Sequence, residues 1–334
     1  MPTTVELQQH EPTCTLADSS VPVIDARKLM HAGTPDPVIP AALEKAARDS
    51  GYLYLEHVFG DGTEDRELDR QMRAFFALAE SDERKQAICV TGKPVKYGWM
   101  PLFGEPAYQP GTIAHVESFD CGRPRRPSDD PSRFSVWPDL PGFRDAVRAS
   151  WFRLTAVGTA LLEAIAMRAG IHRGFLAERC SSQDLSTMRL LHYPARPSPL
   201  SSRDVGIAAH TDFECITLLY QTAPGLELKD VSGRWRDAPA NPGQVVVLFG
   251  DMLERFSNGY YPATGHRVRT STTDRYSVVL FFAVNDGVVV EPHPGFCGLQ
   301  NPPRYDSLTQ QEHSAREIAR SERYRDEAGE AARS

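Results

Sequence analysis

His210-Thr211-Asp212, then His266, then Arg275-Tyr276-Ser277-Val278-Val279-Leu280-Phe281-Phe282-Ala283-Val284 is the spaced set that decides the reading of this chain. His266 follows 54 positions after Asp212 (266 − 212). Two imidazoles and one carboxylate are the ligand set of a non-haem iron(II) that keeps coordination positions open. Side chains at i and i+2 of a strand share a face, so the spacing predicts that His210 and Asp212 reach one metal from a single strand. The interval before His266 holds enough chain for several antiparallel strands to return to the site. The run from Tyr276 to Val284 is rich in Val, Leu and Phe, as a buried strand is. On it Arg275 and Ser277 share one face and Tyr276 takes the other. A guanidinium is a planar fork of donors matched to a carboxylate, and a neighbouring hydroxyl adds a further hydrogen bond. A lone His-x-Asp or Arg-x-Ser arises often by chance; in this order, on strand-like segments, the pattern implies an iron-dependent oxygenase.

Composition narrows the class. Hydrophobic residues make up 41% and charged residues 24% of the 334, enough for a sizeable core. A formal net charge of −7 argues against a nucleic-acid or anionic-membrane surface. Met1 to Thr15 lacks the basic-then-apolar pattern of a signal peptide. No apolar run approaches the roughly eighteen residues of a membrane span. A cytoplasmic enzyme of small molecules is the expectation. The six cysteines (Cys14, Cys89, Cys121, Cys180, Cys215, Cys297) form no CxxC pair. Cys215, close to Asp212, reads as a small packing residue on the opposite face.

Helical signals precede the site. Ala41 to Asp49 and Glu64 to Ala79 have helix-like composition. The longest helix is expected from about Gly142 to Gly170, where Val147, Trp151, Leu154, Val157, Leu161, Leu162 and Ile165 recur at three- and four-residue steps. From Thr187 onward short strands are broken by Gly, Pro and Asn, and Ser307 to Glu330 is charged and helix-prone. Helices first and strands afterwards predict an α+β, β-dominated fold. The organisation expected is a polar arm (1–18), one domain (19–305) with a β core at about 186–295, and a C-terminal helix and tail (306–334). Arg123 to Arg133 reads as an exposed loop.

Beyond the site, further stretches resemble one family. Val21-Pro22-Val23-Ile24-Asp25 is similar to an opening strand. Ala41 to Tyr54 resembles a first helix running into a strand. Phe75-Phe76-Ala77-Leu78, Tyr97-Gly98-Trp99, Val116-Glu117-Ser118-Phe119-Asp120 and Leu190 to Pro194 are similar to further landmarks. Together with the metal pattern, they make most of residues 20 to 295 resemble the iron(II)- and 2-oxoglutarate-dependent oxygenases, in the branch of isopenicillin N synthase and the plant flavonoid oxygenases. Where many plant members have Asn-Tyr-Tyr-Pro this chain has Leu191-His192-Tyr193-Pro194, so only the tyrosine contact carries over.

The resemblance implies a double-stranded β-helix (jelly roll) with flanking N-terminal helices, one long supporting helix and a C-terminal helix. It implies Fe(II) on His210, Asp212 and His266, with 2-oxoglutarate and O2 as co-substrates. The distal carboxylate would meet Arg275 and Ser277, with Tyr193 also bonded to the co-substrate. Trp99 and Phe281 would line a substrate cavity. The reaction implied is oxidative decarboxylation to succinate and carbon dioxide, coupled to hydroxylation, desaturation or cyclisation of a small metabolite of natural-product biosynthesis. Two alternatives stay open: an iron oxidase that uses no 2-oxoglutarate, and a non-catalytic small-molecule-binding sandwich.

Overall fold

Alternation along the central strands divides the hydrophobic residues into two cores. In Val245–Phe249, Val245, Val247 and Phe249 face one core, while Val246 and Leu248 face the other. A strand buried on both faces reads as a continuous apolar run, as this one does. The computed structural model describes residues 21–31, 36–93, 95–105, 108–129, 135–196 and 204–331, excluding the side chains of 322 and 324–331. The expected polar arm (1–18) and the last three residues lie outside the described residues, as do positions 130–133 of the expected 123–133 loop. The described part of that loop is tied down, with Arg123 paired to Asp129 and Asp184.

An eight-stranded sheet runs in the spatial order Val23–Asp25, Tyr52–Glu56, Val245–Phe249, Ile216–Gln221, Arg275–Phe282, Thr187–Tyr193, Glu117–Gly122, Gly98–Met100. All neighbours are antiparallel except the first pair. A four-stranded sheet, in the order Trp235–Asp237, Leu226–Lys229, His266–Val268, Ile207–His210, packs over its inner face. This is the jelly-roll core expected. Between the sheets lie Tyr54, Leu191, Leu219, Val246 and Val279 from the large sheet, and Ile207, Leu226, Leu228 and Val268 from the small one.

Helices cover the outer face of the large sheet. The 26-residue helix Phe143–Arg168 buries Val147, Trp151, Leu154, Val157, Leu161, Leu162 and Ile165, the face that the periodicity predicts. Gly158 lies where it crosses the sheet. A Cβ there would stand 2.8 Å from Phe282 Cδ1 and 3.2 Å from Leu218 Cδ1, so glycine sets how closely the helix packs. Thr63–Phe76 forms the second predicted helix. The first is Val38–Lys45, extended by a wider turn, Ala46–Ser50, that ends at the left-handed Gly51 (φ 76°). The C-terminal helix, Gln310–Ala331, starts with a reciprocal cap. Thr309 N donates to Glu312 Oε2, and Glu312 N donates to Thr309 Oγ1. None of the described helices is long and apolar enough to cross a membrane.

Trp99 corrects one expectation. It belongs to the outer core, beneath the helices, and its indole Nε1 donates to Glu117 Oε2 at 2.8 Å. That puts it on the sheet face opposite the inter-sheet space, away from any cavity there. Glu117 also accepts from Lys85 Nζ at 3.0 Å and meets His192 Nδ1 at 2.8 Å. Burial by itself would raise the Glu117 carboxyl, but these partners outweigh it and hold it below the ordinary glutamate range.

Lys85 and Glu117 side chains are only 3% and 8% exposed, so Lys85→Ala leaves a buried carboxylate without its cation. The expected loss is about 3–5 kcal/mol in urea unfolding, and a loss below about 1 kcal/mol would contradict the argument. Because the folded carboxyl is depressed, its contribution is complete above the ordinary glutamate value and is lost as pH falls through the folded value.

Candidate metal centre

Antiparallel pairing sets His266 directly opposite His210, on neighbouring strands of the small sheet. Their rings lie 4.2 Å apart, centroid to centroid. The strand ends at His210, and the chain turns before Asp212, which corrects the expectation that both project from one strand. The turn brings Asp212 Oδ1 to 3.7 Å from His210 Nε2 and 3.6 Å from His266 Nε2. One ligand atom from each residue lies within 4.8 Å of the others, close enough to share a metal ion.

Backbone carbonyls fix which ring nitrogens face inward. His210 Nδ1 lies 2.8 Å from Ala208 O and His266 Nδ1 3.1 Å from Thr264 O. A carbonyl only accepts, so each Nδ1 carries the hydrogen and each Nε2 turns a lone pair to the cluster. Burial, then the nearby His266, holds His210 well below the usual imidazole range, which favours the neutral ligand form. Asp212 is 4% exposed; its Oδ2 accepts from Thr217 Oγ1 at 2.5 Å, and its backbone carbonyl accepts from Asp251 N at 2.9 Å. Oδ1 is left facing the imidazoles. A borderline cation such as iron(II) suits this donor set.

Arg275 and Ser277 lie farther along the same inner face of the large sheet. Arg275 is fully buried, and among the described residues no carboxylate pairs with it. Its Nη2 donates to Gln221 Oε1 at 2.9 Å, its Nη1 reaches Ser277 Oγ only at 3.4 Å, and its Nε has no partner. Tyr193 pairs with it in register, and the guanidinium carbon sits 4.6 Å from the Tyr193 ring centroid. Desolvation lowers the Arg275 value, the signature of a buried cation without a counter-charge. Phe281 shares this inner face and packs beside the inter-sheet core.

Other candidates resolve as structural. Arg189 is held by Asp120 through two bonds (2.8 and 2.7 Å) and by Glu105 at 3.0 Å. Arg267 is paired with Glu227 at 2.6 Å. Cys215 is a fully buried member of the outer core. His57 lies near Asp25 and Glu56, but Arg27 already engages both Asp25 oxygens. His293 caps a short 3-10 turn through Gly295 N.

Sequence reasoning missed Tyr108, Thr217 and Gln221. Tyr108 stacks on the His210 ring at 4.1 Å and 10°. It comes from an irregular loop that carries no periodic signal. Thr217 and Gln221 did leave a trace: both are polar residues in the otherwise apolar run Ile216–Gln221, and alternation puts them on the inner face. Glu317, Arg320 and Ser321 of the last helix line a cleft with Tyr108, His210 and Phe213. That helix is fastened by His313 Nε2 to Asp251 Oδ2 at 2.6 Å and by Gln310 Oε1 accepting from Val284 N at 2.7 Å.

Two family sequence models match this chain. The sequence model of the 2OG-Fe(II) oxygenase superfamily matches residues 185–284, and that of the non-haem dioxygenase in morphine synthesis N-terminal region matches 21–140. The 2-oxoglutarate-dependent dioxygenase citB of Monascus ruber is 34% identical over 235 residues, covering 65% of this chain and 70% of that protein. A homoarginine-6-hydroxylase of Glycine max is 31% identical over 298 residues, covering 82% and 88%. A solved 2OG-Fe(II) oxygenase family protein from Caulobacter crescentus superposes with a TM-score of 0.75 at 27% identity, over 90% of this chain and all of that one.

Thr217→Val keeps the shape of the side chain and removes the hydrogen bond that orients Asp212. Equilibrium dialysis against iron(II) should show affinity reduced by about 10–100-fold with the fold intact. Unchanged affinity would mean that Asp212 needs no such support.

Proposed function

Since the chain belongs to the 2OG-Fe(II) oxygenase superfamily, we propose that His210, Asp212 and His266 hold its iron and that Arg275 and Ser277, beside Tyr193, hold the distal carboxylate of 2-oxoglutarate. The enzyme is an Fe(II)- and 2-oxoglutarate-dependent dioxygenase of small-molecule metabolites, and natural-product biosynthesis is the setting its relatives support.

The observation that carries the residue assignment is the state of Arg275. A fully buried guanidinium with an unpartnered Nε and no carboxylate beside it is costly unless an anion completes it. A dicarboxylate co-substrate supplies one, and the bidentate match of guanidinium and carboxylate fixes its direction. The contrast with Arg189 and Arg267, both neutralised by carboxylates of this chain, supports that reading.

Iron(II), with 2-oxoglutarate and dioxygen, supplies the oxidative decarboxylation that yields succinate and carbon dioxide and oxidises a substrate C–H bond. The chain's own groups do the placing. The two carbonyl-fixed imidazoles and the threonine-held carboxylate orient the donor atoms, leaving the side away from them open. Tyr108 and the C-terminal helix line the space beside His210, where a substrate that fills it would displace water from the reacting centre. The oxidase reading, without 2-oxoglutarate, is disfavoured because the relatives are themselves 2-oxoglutarate-dependent.

The first experiment is succinate release by the iron-loaded protein under air across a panel of small metabolites, amino acids included. Substrate-stimulated succinate is the expected result, and product formation without succinate would favour the oxidase instead. In anaerobic titration followed by metal-to-ligand charge-transfer absorption, Ser277→Ala should weaken 2-oxoglutarate binding by about 1.5–3 kcal/mol. Arg275→Lys, which keeps the charge and loses the fork, should weaken it further than it disturbs iron binding. Wild-type affinity in both variants would remove these residues from the co-substrate site.

A further inference from the structure

We infer that Gln221 is a positioning residue for the co-substrate: its amide aims the Arg275 guanidinium while leaving the charge of that guanidinium uncompensated. The inference rests on the co-substrate reading given above and adds a residue to it.

Gln221 is 4% exposed and sits at the end of Ile216–Gln221, opposite Ser277 in register. Its Nε2 donates to Ala238 O at 3.0 Å and approaches Pro239 O at 3.4 Å. Those carbonyls can only accept, so the amide cannot flip, and Oε1 must face Arg275, whose Nη2 it accepts at 2.9 Å. Ala238 is itself anchored, its N donating to Leu226 O at 2.9 Å in the small sheet. Arg275, rooted in the large sheet, is thereby oriented from the small one.

Donor counting shows what this does. A guanidinium has five N–H groups. Gln221 engages one firmly, Ser277 approaches another at 3.4 Å, and the neutral Tyr193 hydroxyl takes part as well; the Nε–H has no partner and is available to an incoming carboxylate. A carboxylate at position 221 would engage the same fork, neutralise it and compete with the ligand. An apolar side chain there would remove the acceptor that aims Nη2 and leave Tyr193 and Ser277 as the remaining restraints. A neutral amide with a pinned NH2 group avoids both outcomes.

The test is anaerobic titration of the full-length, iron-loaded protein with two probes. One is 2-oxoglutarate; the other is 2-oxopentanoate, which keeps the chelating 2-oxo acid and lacks the distal carboxylate. Gln221→Glu is isosteric and should lower 2-oxoglutarate affinity by about thirtyfold or more, while Gln221→Met should lower it by about tenfold. Affinity for 2-oxopentanoate should stay within about threefold in both, so the preference for the dicarboxylate collapses. A merely structural role would weaken both probes equally, and that result overturns the inference, as does a preference unchanged in both variants. If one variant fails to fold, the other decides by the same ratio. A wild-type protein that binds neither probe defeats the co-substrate reading itself and the inference with it, an outcome distinct from binding that the variants leave untouched.

Discussion

The strand Ile216–Gln221 ties the structure together because its two faces answer to different demands. Outward, Ile216, Leu218 and Tyr220 join the core beneath the long helix. Inward, Leu219 seals the middle of the inter-sheet space, while a polar residue stands near each end. Thr217 holds the carboxylate of Asp212, and Gln221 holds the guanidinium of Arg275. Four residue steps of extended chain separate them, roughly 13 Å. The spacing between the anionic cluster and the buried cation is therefore fixed by backbone geometry in the middle of a sheet.

Charge placement follows a consistent economy on the inner and outer faces. Lys85, Arg189 and Arg267 are each met by carboxylates of the chain, so their burial is compensated internally. Arg275 alone among these four is given neutral partners. The imidazoles of His210 and His266 are likewise oriented by neutral carbonyls, which fix direction without adding charge. Neutral hydrogen bonds orient the groups that must receive something from outside, whereas ion pairs secure those that must stay put.

Much of this was legible in the sequence because ligand chemistry and periodicity are local signals. The long helix follows from apolar residues at three- and four-residue steps, and Arg275 and Ser277 share a face because alternation requires it. The failures have physical causes. His210 and Asp212 meet through a turn that follows the strand, which no two-residue periodicity can distinguish from a continued strand. Trp99 is implied as a cavity residue by the resemblance alone, and its three-residue strand is too short for a pattern to show which side is inward. Tyr108 reaches His210 from a loop whose path depends on tertiary contacts alone. Thr217 and Gln221 were visible as polar interruptions, but their partners, Asp212 and Arg275, become apparent only once the register is known.

The helix Gln310–Ala331 follows every strand of the two large sheets in the chain, yet it supplies part of the rim beside His210. Translation proceeds from the N-terminus, and folding begins while the chain is still being made. The segments bearing His210, Asp212, His266 and Arg275 thus leave the ribosome before the segment that flanks them. During that interval the nascent sandwich carries its donor atoms behind an unfinished wall. Docking of His313 on Asp251 and of Gln310 on Val284 follows, and it walls one side of a pocket whose floor already exists.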